Sequence, residues 1–221
     1  MIHGIINVYK EKGFTSHDVV AKLRGIVGQK KIGHTGTLDP DATGVLPVCL
    51  GKATKLCDLL TDKNKTYEAV LLLGKATDTQ DITGEVLEEK STEALTEEKV
   101  REAIEGFIGD YEQIPPMYSA LKVNGKKLYE LAREGKVIER KARPVKILDI
   151  QILEIDLPKV RMEVSCSKGT YIRTLCHDIG EKLGCGGCME SLIRTRVSAF
   201  QIKDAKTLEE IGALKQEGML E

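Results

Sequence analysis

Apolar residues recur along this chain with two alternating periods. Val19, Val20, Leu23, Ile26 and Val27 fall at helical spacing and predict a helix from His17 to about Val27 with Ser16 as its N-cap. Between Lys30 and Pro47 the residues Gly33, Gly36, Pro40, Gly44 and Pro47 rule out a continuous helix or central strand and predict an ordered, unusual loop. An apolar segment from Leu50 to Leu60 follows. From Thr66 to Leu73 the period changes to two, with Tyr67, Ala69, Leu71 and Leu73 on one face of a central strand. Thr96 caps a helix carrying Val100, Ala103, Ile104, Phe107 and Ile108, with Glu97 and Glu98 at its positive end and Gly109 stopping it.

The last third reads as sheet-rich. Tyr118 to Val123 and an Asn124-Gly125 turn lead into a short helix ending near Gly135. Val145 to Ile155 and the alternating Val160, Met162, Val164 and Cys166 form a two-strand unit. Gly169 and Thr170 open a helix with Ile172, Leu175, Ile179 and Leu183 on one side, closed by Gly184, and Ser191 to Ile202 returns as a strand. Strands and helices interleave irregularly, which predicts an α+β fold with a mostly antiparallel sheet in a single globular unit. No repeat, low-complexity tract or linker interrupts it.

Composition narrows the functional classes. Hydrophobic residues make up 41% of the 221 positions, too many for a disordered chain. The start, MIHGIINVYKEKG, is broken by charge at Lys10, Glu11 and Lys12 before a signal-peptide core develops, and no run approaches a membrane span. Six cysteines, Cys49, Cys57, Cys166, Cys176, Cys185 and Cys188, read as thiols of a reducing cytoplasm. Cys49, Cys57 and Cys166 occupy apolar positions and are expected to pack. Cys185-Gly-Gly-Cys188, with Cys176 and His177 upstream, lacks a second well-spaced pair, so no metal is expected. Net charge is only −1, yet Lys122 to Lys146 holds nine Lys or Arg against three Glu, whereas Asp78 to Glu112 is mostly acidic. A basic face suited to a polyanion and an ordinary pair of solvated faces both fit that asymmetry.

The segment GHTGTLDPDATGVLPVCLG, residues 33 to 51, holds one Asp between Leu38 and Pro40 in a loop that is costly to build for structure alone. It matches G-x-x-G-x-L-D-P-x-A-x-G-x-L-P at every fixed position, and through it the chain resembles the TruB family of pseudouridine synthases. The resemblance continues through KTYEAVLLLGKATDTQDITG (65 to 84), PPMYSALKVNGKKLYELAREG (115 to 135), CSKGTYIRTLCHDIG (166 to 180) and SLIRTRVSAF (191 to 200), nearly the whole chain. Near the start, where the family usually reads D-K-P-x-G-x-T-S, residues 9 to 16 read YKEKGFTS, which keeps Lys10, Gly13, Thr15 and Ser16 and has no proline. Relatives usually continue into a small RNA-binding PUA domain, for which no residues remain, so residues 1–221 are expected to be the catalytic domain alone.

What the resemblance implies is specific. The fold is the pseudouridine synthase fold, with helices flanking the sheet and loop insertions around a central cleft. The substrate is tRNA, at uridine 55 of the T loop, handled by a monomer without cofactor or metal. Asp39 is the catalytic carboxylate, adding to C1′ or initiating elimination to a glycal-like intermediate. An ionised Asp in a pocket calls for a cation, and Arg173 matches the family's arginine that pairs with it. Tyr67 matches the tyrosine that stacks on the target base and takes part in proton transfer. His34 matches the residue that fills the space left by the extruded uridine, Leu192 the apolar contact near the rotating uracil, and Lys122, Lys126 and Lys127 phosphate contacts.

Taken singly these residues have plainer readings: a turn-forming Asp, a sheet tyrosine, a surface ion-pair arginine, an ordinary loop histidine. Two further functions also fit the chain, a guide-RNA-dependent synthase subunit and a tRNA-binding or tRNA-folding factor with little catalysis. Asp39, Tyr67 and Arg173 are all present, which a pure binder does not require.

Overall fold

The computed structural model describes residues 1–220 and is α+β. In chain order its elements are β1 (Gly4–Lys10), α1 (Ser16–Val27), β2 (Ile32–His34), β3 (Thr43–Leu50), α2 (Cys57–Thr61), β4 (Lys65–Leu73), β5 (Lys75–Thr77), β6 (Val86–Glu89) and α3 (Glu97–Glu105). There follow β7 (Gly109–Gln113), β8 (Lys122–Val123), β9 (Lys126–Lys127), α4 (Leu128–Arg133), β10 (Arg143–Asp156), β11 (Lys159–Cys166), α5 (Ile172–Lys182), β12 (Gly187–Val197), β13 (Phe200–Gln201) and α6 (Leu208–Gln216). Contacts group the chain into two units, Met1–Glu68 with the chain from Leu192 onward, and Ala69–Ser191. Among the described residues no helix is long and apolar enough to cross a membrane.

In the first unit β3 is the central strand. β1 runs antiparallel to it from Gly4 opposite Leu50 to Lys10 opposite Gly44, and β2 pairs antiparallel along part of its other side. β12 adds a short parallel stretch, Ile193 opposite Thr43 and Arg194 opposite Gly44. Val8, Leu46, Val48 and Leu50 turn toward α1 and α6, where Val19, Val20, Leu23, Val27, Leu208 and Ile211 close a core. A side chain of this size, fully buried, contributes roughly 1.5–3 kcal/mol, so this cluster is what holds the unit together.

Three expectations fail here for physical reasons. The N-cap of α1 is Thr15, not Ser16: Thr15 accepts from the Asp18 amide at 3.0 Å while Asp18 accepts from the Thr15 amide at 2.8 Å, a reciprocal capping box. Pro47 does not prevent a central strand. Its carbonyl accepts from the Thr35 amide at 3.1 Å, and the N–H it lacks is the one that would have answered Thr35, so the β2 ladder ends there while β1 pairs on undisturbed. The strand expected from Ser191 to Ile202 folds back at Ser198, where φ is +52°, so that β13 pairs with β12.

In the second unit β10 lies between β7 and β11, antiparallel to both. Val145, Ile147, Ile150, Val160, Met162 and Val164 are buried with Val100 and Ile104 of α3 and Leu175 and Ile179 of α5. α3 ends sooner than its apolar stripe suggests, at Glu105, and Gly109 begins β7. The glycines between Cys185 and Cys188 serve packing: a Cβ on Gly187 would stand 2.7 Å from the Cys176 carbonyl. Gly180 of α5 would in turn put a Cβ 2.1 Å from the Gly187 amide.

Gly44 has φ +109°, and a Cβ there would stand 2.2 Å from the Arg194 carbonyl. Gly44→Ala is expected to cost roughly 2–4 kcal/mol in denaturant-induced unfolding, because strain and a backbone clash coincide. Gly25→Ala, on the exposed side of α1 with nothing within 4 Å of the added carbon, should instead gain about 0.5–1 kcal/mol.

Candidate active site

The loop from Thr35 to Ala42 joins β2 to β3, and nearly every fixture that holds it is buried. Thr35, fully buried, donates from both its amide and its hydroxyl to Pro47, at 3.1 and 3.0 Å. The Leu38 amide donates to the Ser16 hydroxyl at 3.0 Å, which is what Ser16 does instead of capping α1. The Ala42 amide donates to the Asp39 carbonyl at 3.1 Å, closing the turn, and the Gly13 amide donates to the Pro40 carbonyl at 2.9 Å. Leu38 and Ala42 are buried anchors on either side. Between them Asp39 is half-buried and Pro40 and Asp41 are exposed, so the crest of the loop offers carboxylates.

Two buried cations support that crest. Lys10, with no exposed surface, donates to the carbonyls of Phe14 at 2.6 Å, Pro40 at 3.1 Å and Glu11 at 3.2 Å. Burial lowers its pKa to about 8, with Asp39 and Asp41 working in the opposite direction and favouring the charged form. Arg194, 1% exposed, donates from Nε to the Val45 carbonyl at 2.8 Å and from Nη1 and Nη2 to Thr37 and Gly36 at 3.5 and 3.4 Å. Burial lowers its pKa, and the nearby Tyr67 phenol offsets part of that lowering.

Of the residues singled out in the sequence, Asp39, Tyr67, His34 and Leu192 belong to the first unit. Tyr67 shares the buried face of β4 with Lys65, and Leu192 is half-buried on β12. His34 ends β2 edge-on to His17, with ring centroids 5.3 Å apart at 76°. Burial lowers the His34 pKa, and the neighbouring His17 lowers it further, so the neutral ring is favoured.

Arg173 and the three lysines belong to the second unit. Arg173, in the first turn of α5, is 6% exposed and donates to the carbonyls of Tyr118 at 2.9 Å and Thr79 at 3.1 Å, with Asp81 at 4.0 Å. Asp81 organises its own loop, accepting from Thr79 and Thr83. The Tyr118 segment runs into the β8–β9 hairpin, pinned by the Leu128 and Tyr129 amides to the Leu121 and Ser119 carbonyls. That hairpin sets Lys122 directly opposite Lys127 and turns through Asn124 and Gly125. Like charges facing each other oppose folding unless an anion relieves them. Lys127 also lies over the Tyr129 ring, 5.3 Å from its centroid. Among the described residues no three of His, Cys, Asp or Glu gather as metal ligands.

Sequence reasoning passed over Lys10, Ser16, Thr35 and Arg194. Lys10 left a trace, since it shares strand parity with the core residue Val8. Arg194 left none that distinguishes it from the exposed Arg196 two positions on.

Residues 24–172, which carry the whole loop, match the family model for the N-terminal domain of TruB family pseudouridylate synthases. The chain belongs to the TruB family. Residues 173–220 match the model for the C-terminal domain of tRNA pseudouridylate synthase B. Two TruB relatives are the tRNA pseudouridine synthases B of Lachnoclostridium phytofermentans, 65% identical, and Alkaliphilus oremlandii, 56% identical. The alignments cover 95% and 97% of this chain and 71% of each of those proteins. Among solved structures, the chain is similar to one in a Cbf5-Nop10-Gar1 complex, with TM-score 0.77 and 34% identity. A second is an H/ACA RNP bound to a substrate RNA containing 2′-deoxyuridine, with TM-score 0.74 and 31% identity. Each match covers 98% of this chain and 56% of the other.

Ser16→Ala is expected to leave the buried Leu38 amide without its partner. The loss should be about 1–3 kcal/mol in equilibrium unfolding, with faster exchange of the Leu38 amide proton. Unchanged protection of that amide would mean the loop does not depend on Ser16.

Proposed function

We propose that this chain isomerises uridine 55 in the T loop of tRNA to pseudouridine, with Asp39 as the catalytic carboxylate. The observation that carries the proposal is the crest of the 35–42 loop, where Asp39 stands half-exposed on a backbone tied down by Lys10, Ser16, Thr35 and Arg194. Groups held this way lose little further freedom on binding, which is how a scaffold lowers the barrier to a reaction between positioned partners. Relatives up to 65% identical that bear the name tRNA pseudouridine synthase B support the choice of substrate.

The reaction conserves atoms and electrons. The N1–C1′ bond breaks, the uracil turns, C5 bonds to C1′, and the proton that leaves C5 is balanced by one gained at N1. It calls for no metal and no redox partner. Asp39 adds to C1′ or draws a proton from the sugar to start elimination, and the chemistry of the site suits both routes. Tyr67 is the platform for the base and a proton carrier, Leu192 the apolar contact beside the rotating ring, and Arg173 the cation assigned to the Asp39 carboxylate. His34 fills the space left by the extruded uridine, whose unstacking costs a few kcal/mol. Lys122, Lys126 and Lys127 hold phosphates of the T arm, an anion that would also relieve the Lys122–Lys127 opposition. A monomer in the cytoplasm suffices for this.

A second reading, a subunit of an RNA-guided particle, draws on the similarity to H/ACA and Cbf5 structures at 31% and 34% identity. Incubating the protein with unmodified tRNA transcript and no other RNA separates the two. Pseudouridine at position 55, and none in a transcript carrying cytidine there, is the expected product. Activity only after a guide RNA is added would replace this reading with the second.

A further inference from the structure

Of the six cysteines, all of them among the described residues, five are buried and only Cys57 reaches solvent. Cys57 opens α2, a five-residue helix with no side-chain cap at its N-terminus and no buried residue. Its sulfur lies 3.1 Å from where a Cβ on Gly33 would stand. Gly33 of β2 is directly opposite Cys49 of β3. Opposed side chains of an antiparallel pair leave the sheet on the same face, with their Cβ atoms about 4.5–5.5 Å apart. The Cys57 sulfur therefore occupies the place beside the Cys49 side chain that any residue other than glycine would fill. A glycine in the facing strand and the return of the chain through residues 51–56 bring two thiols together within the first unit.

The two thiols differ as an attacking and a resolving sulfur do. A thiolate is what reacts with a peroxide, and access decides which sulfur is reached. Cys57 is open to a small solute from the exposed side of α2. Cys49 has no exposed surface, and burial, followed by the neighbouring Cys57, pushes its thiol up to about 12, so it is spared direct attack. Neither sulfur takes part in the RNA chemistry described above.

We propose that Cys57 and Cys49 form a peroxide-sensitive pair that closes to an intrachain disulfide, with a hydroperoxide as the oxidant. The Cys57 sulfur attacks the O–O bond: an S–O bond forms, the O–O bond breaks, and the second oxygen leaves as an alcohol or water with the thiol proton. The Cys49 sulfur then attacks the Cys57 sulfenic acid. An S–S bond forms, the S–O bond breaks, and the hydroxyl leaves as water with the Cys49 proton. Two electrons pass from the sulfurs to the peroxide, and no other reactant is consumed. The sulfurs must close to about 2.05 Å. α2, which buries no side chain of its own, gives by that small amount while the Lys65 amine holds its far end on the Thr61 and Lys63 carbonyls, at 2.8 Å each. The bond staples α2 to the strand pair that leads into and out of the 35–42 loop, and it stops Cys57 at a reversible stage of oxidation.

The test exposes the folded full chain to a small excess of hydrogen peroxide, quenches with catalase, alkylates in denaturant and reads intact mass and crosslinked peptides. Wild type should lose two of its six alkylatable thiols to a Cys49–Cys57 peptide and recover both after dithiothreitol. Cys57→Ala should lose thiols at least about tenfold more slowly. Cys49→Ala should form no disulfide and carry instead a Cys57 sulfenic acid that dimedone traps. Six alkylations after peroxide, a disulfide joining any other pair, or rapid oxidation of Cys49 in Cys57→Ala would each overturn the proposal. If Cys49→Ala does not fold, the wild-type peptide map and Cys57→Ala, altered at a half-buried position, decide the outcome.

Thermal unfolding separates a staple of the native fold from one formed by opening it. The oxidised protein should melt above the reduced protein, as a crosslink that fits the folded chain requires. A lower midpoint would show that the sulfurs meet only when α2 comes away from the strands, and would overturn the pairing.

Discussion

The geometry of the site depends on burying two positive charges beneath one short loop. Lys10 and Arg194 are each almost entirely removed from water, and each is satisfied chiefly by backbone carbonyls of the segments they hold. Desolvating a cation costs several kcal/mol, recovered only if its hydrogen bonds are complete and well placed. The loop therefore has one conformation in which both cations are satisfied, and departures from it expose that cost. This is how a Gly- and Pro-rich segment, which by composition should be mobile, becomes a fixed mount for Asp39. Moving the carbonyls away leaves a buried charge uncompensated, and removing the cation leaves buried carbonyls unsatisfied, so these contacts make departures from the loop's shape costly.

The two units hold different residues of the proposed site. The first holds Asp39 on the loop beside β3, Tyr67 on β4 and Leu192 on β12. The second carries Arg173, anchored by the Thr79 and Tyr118 carbonyls, and the cationic hairpin. Arg173 is thus placed by loops of its own unit, and these in turn are organised by Asp81 through Thr79 and Thr83.

Periodicity made α1, α3, α5 and the long β10–β11 hairpin legible, since amphipathic faces bury one side whatever the rest of the chain does. The cap of α1 was legible too, but only to the rule that looks three residues ahead: Thr15 with Asp18 forms the reciprocal pair, which frees Ser16 for Leu38. Pro47 misled because a missing N–H matters only on the side where a partner strand continues, and strand order is not a local property. β1 ends in a lysine and α6 is only weakly amphipathic, so tertiary burial rather than pattern defines them. The motif located Asp39, but the residues that hold it lie far off in sequence. Arg194 and Arg196 differ in burial, not in anything local, and that difference arises from a strand register formed across about 150 residues.

The claim that most needs testing is that Asp39 is the group that reacts, and the most direct measurement is single-turnover pseudouridine formation by Asp39→Asn beside wild type on the same tRNA. The account predicts a loss of at least about a thousandfold in rate, with tRNA binding and thermal stability essentially retained. A rate within about tenfold of wild type would contradict it, and would leave the buried cations supporting a loop whose carboxylate takes no part in the chemistry.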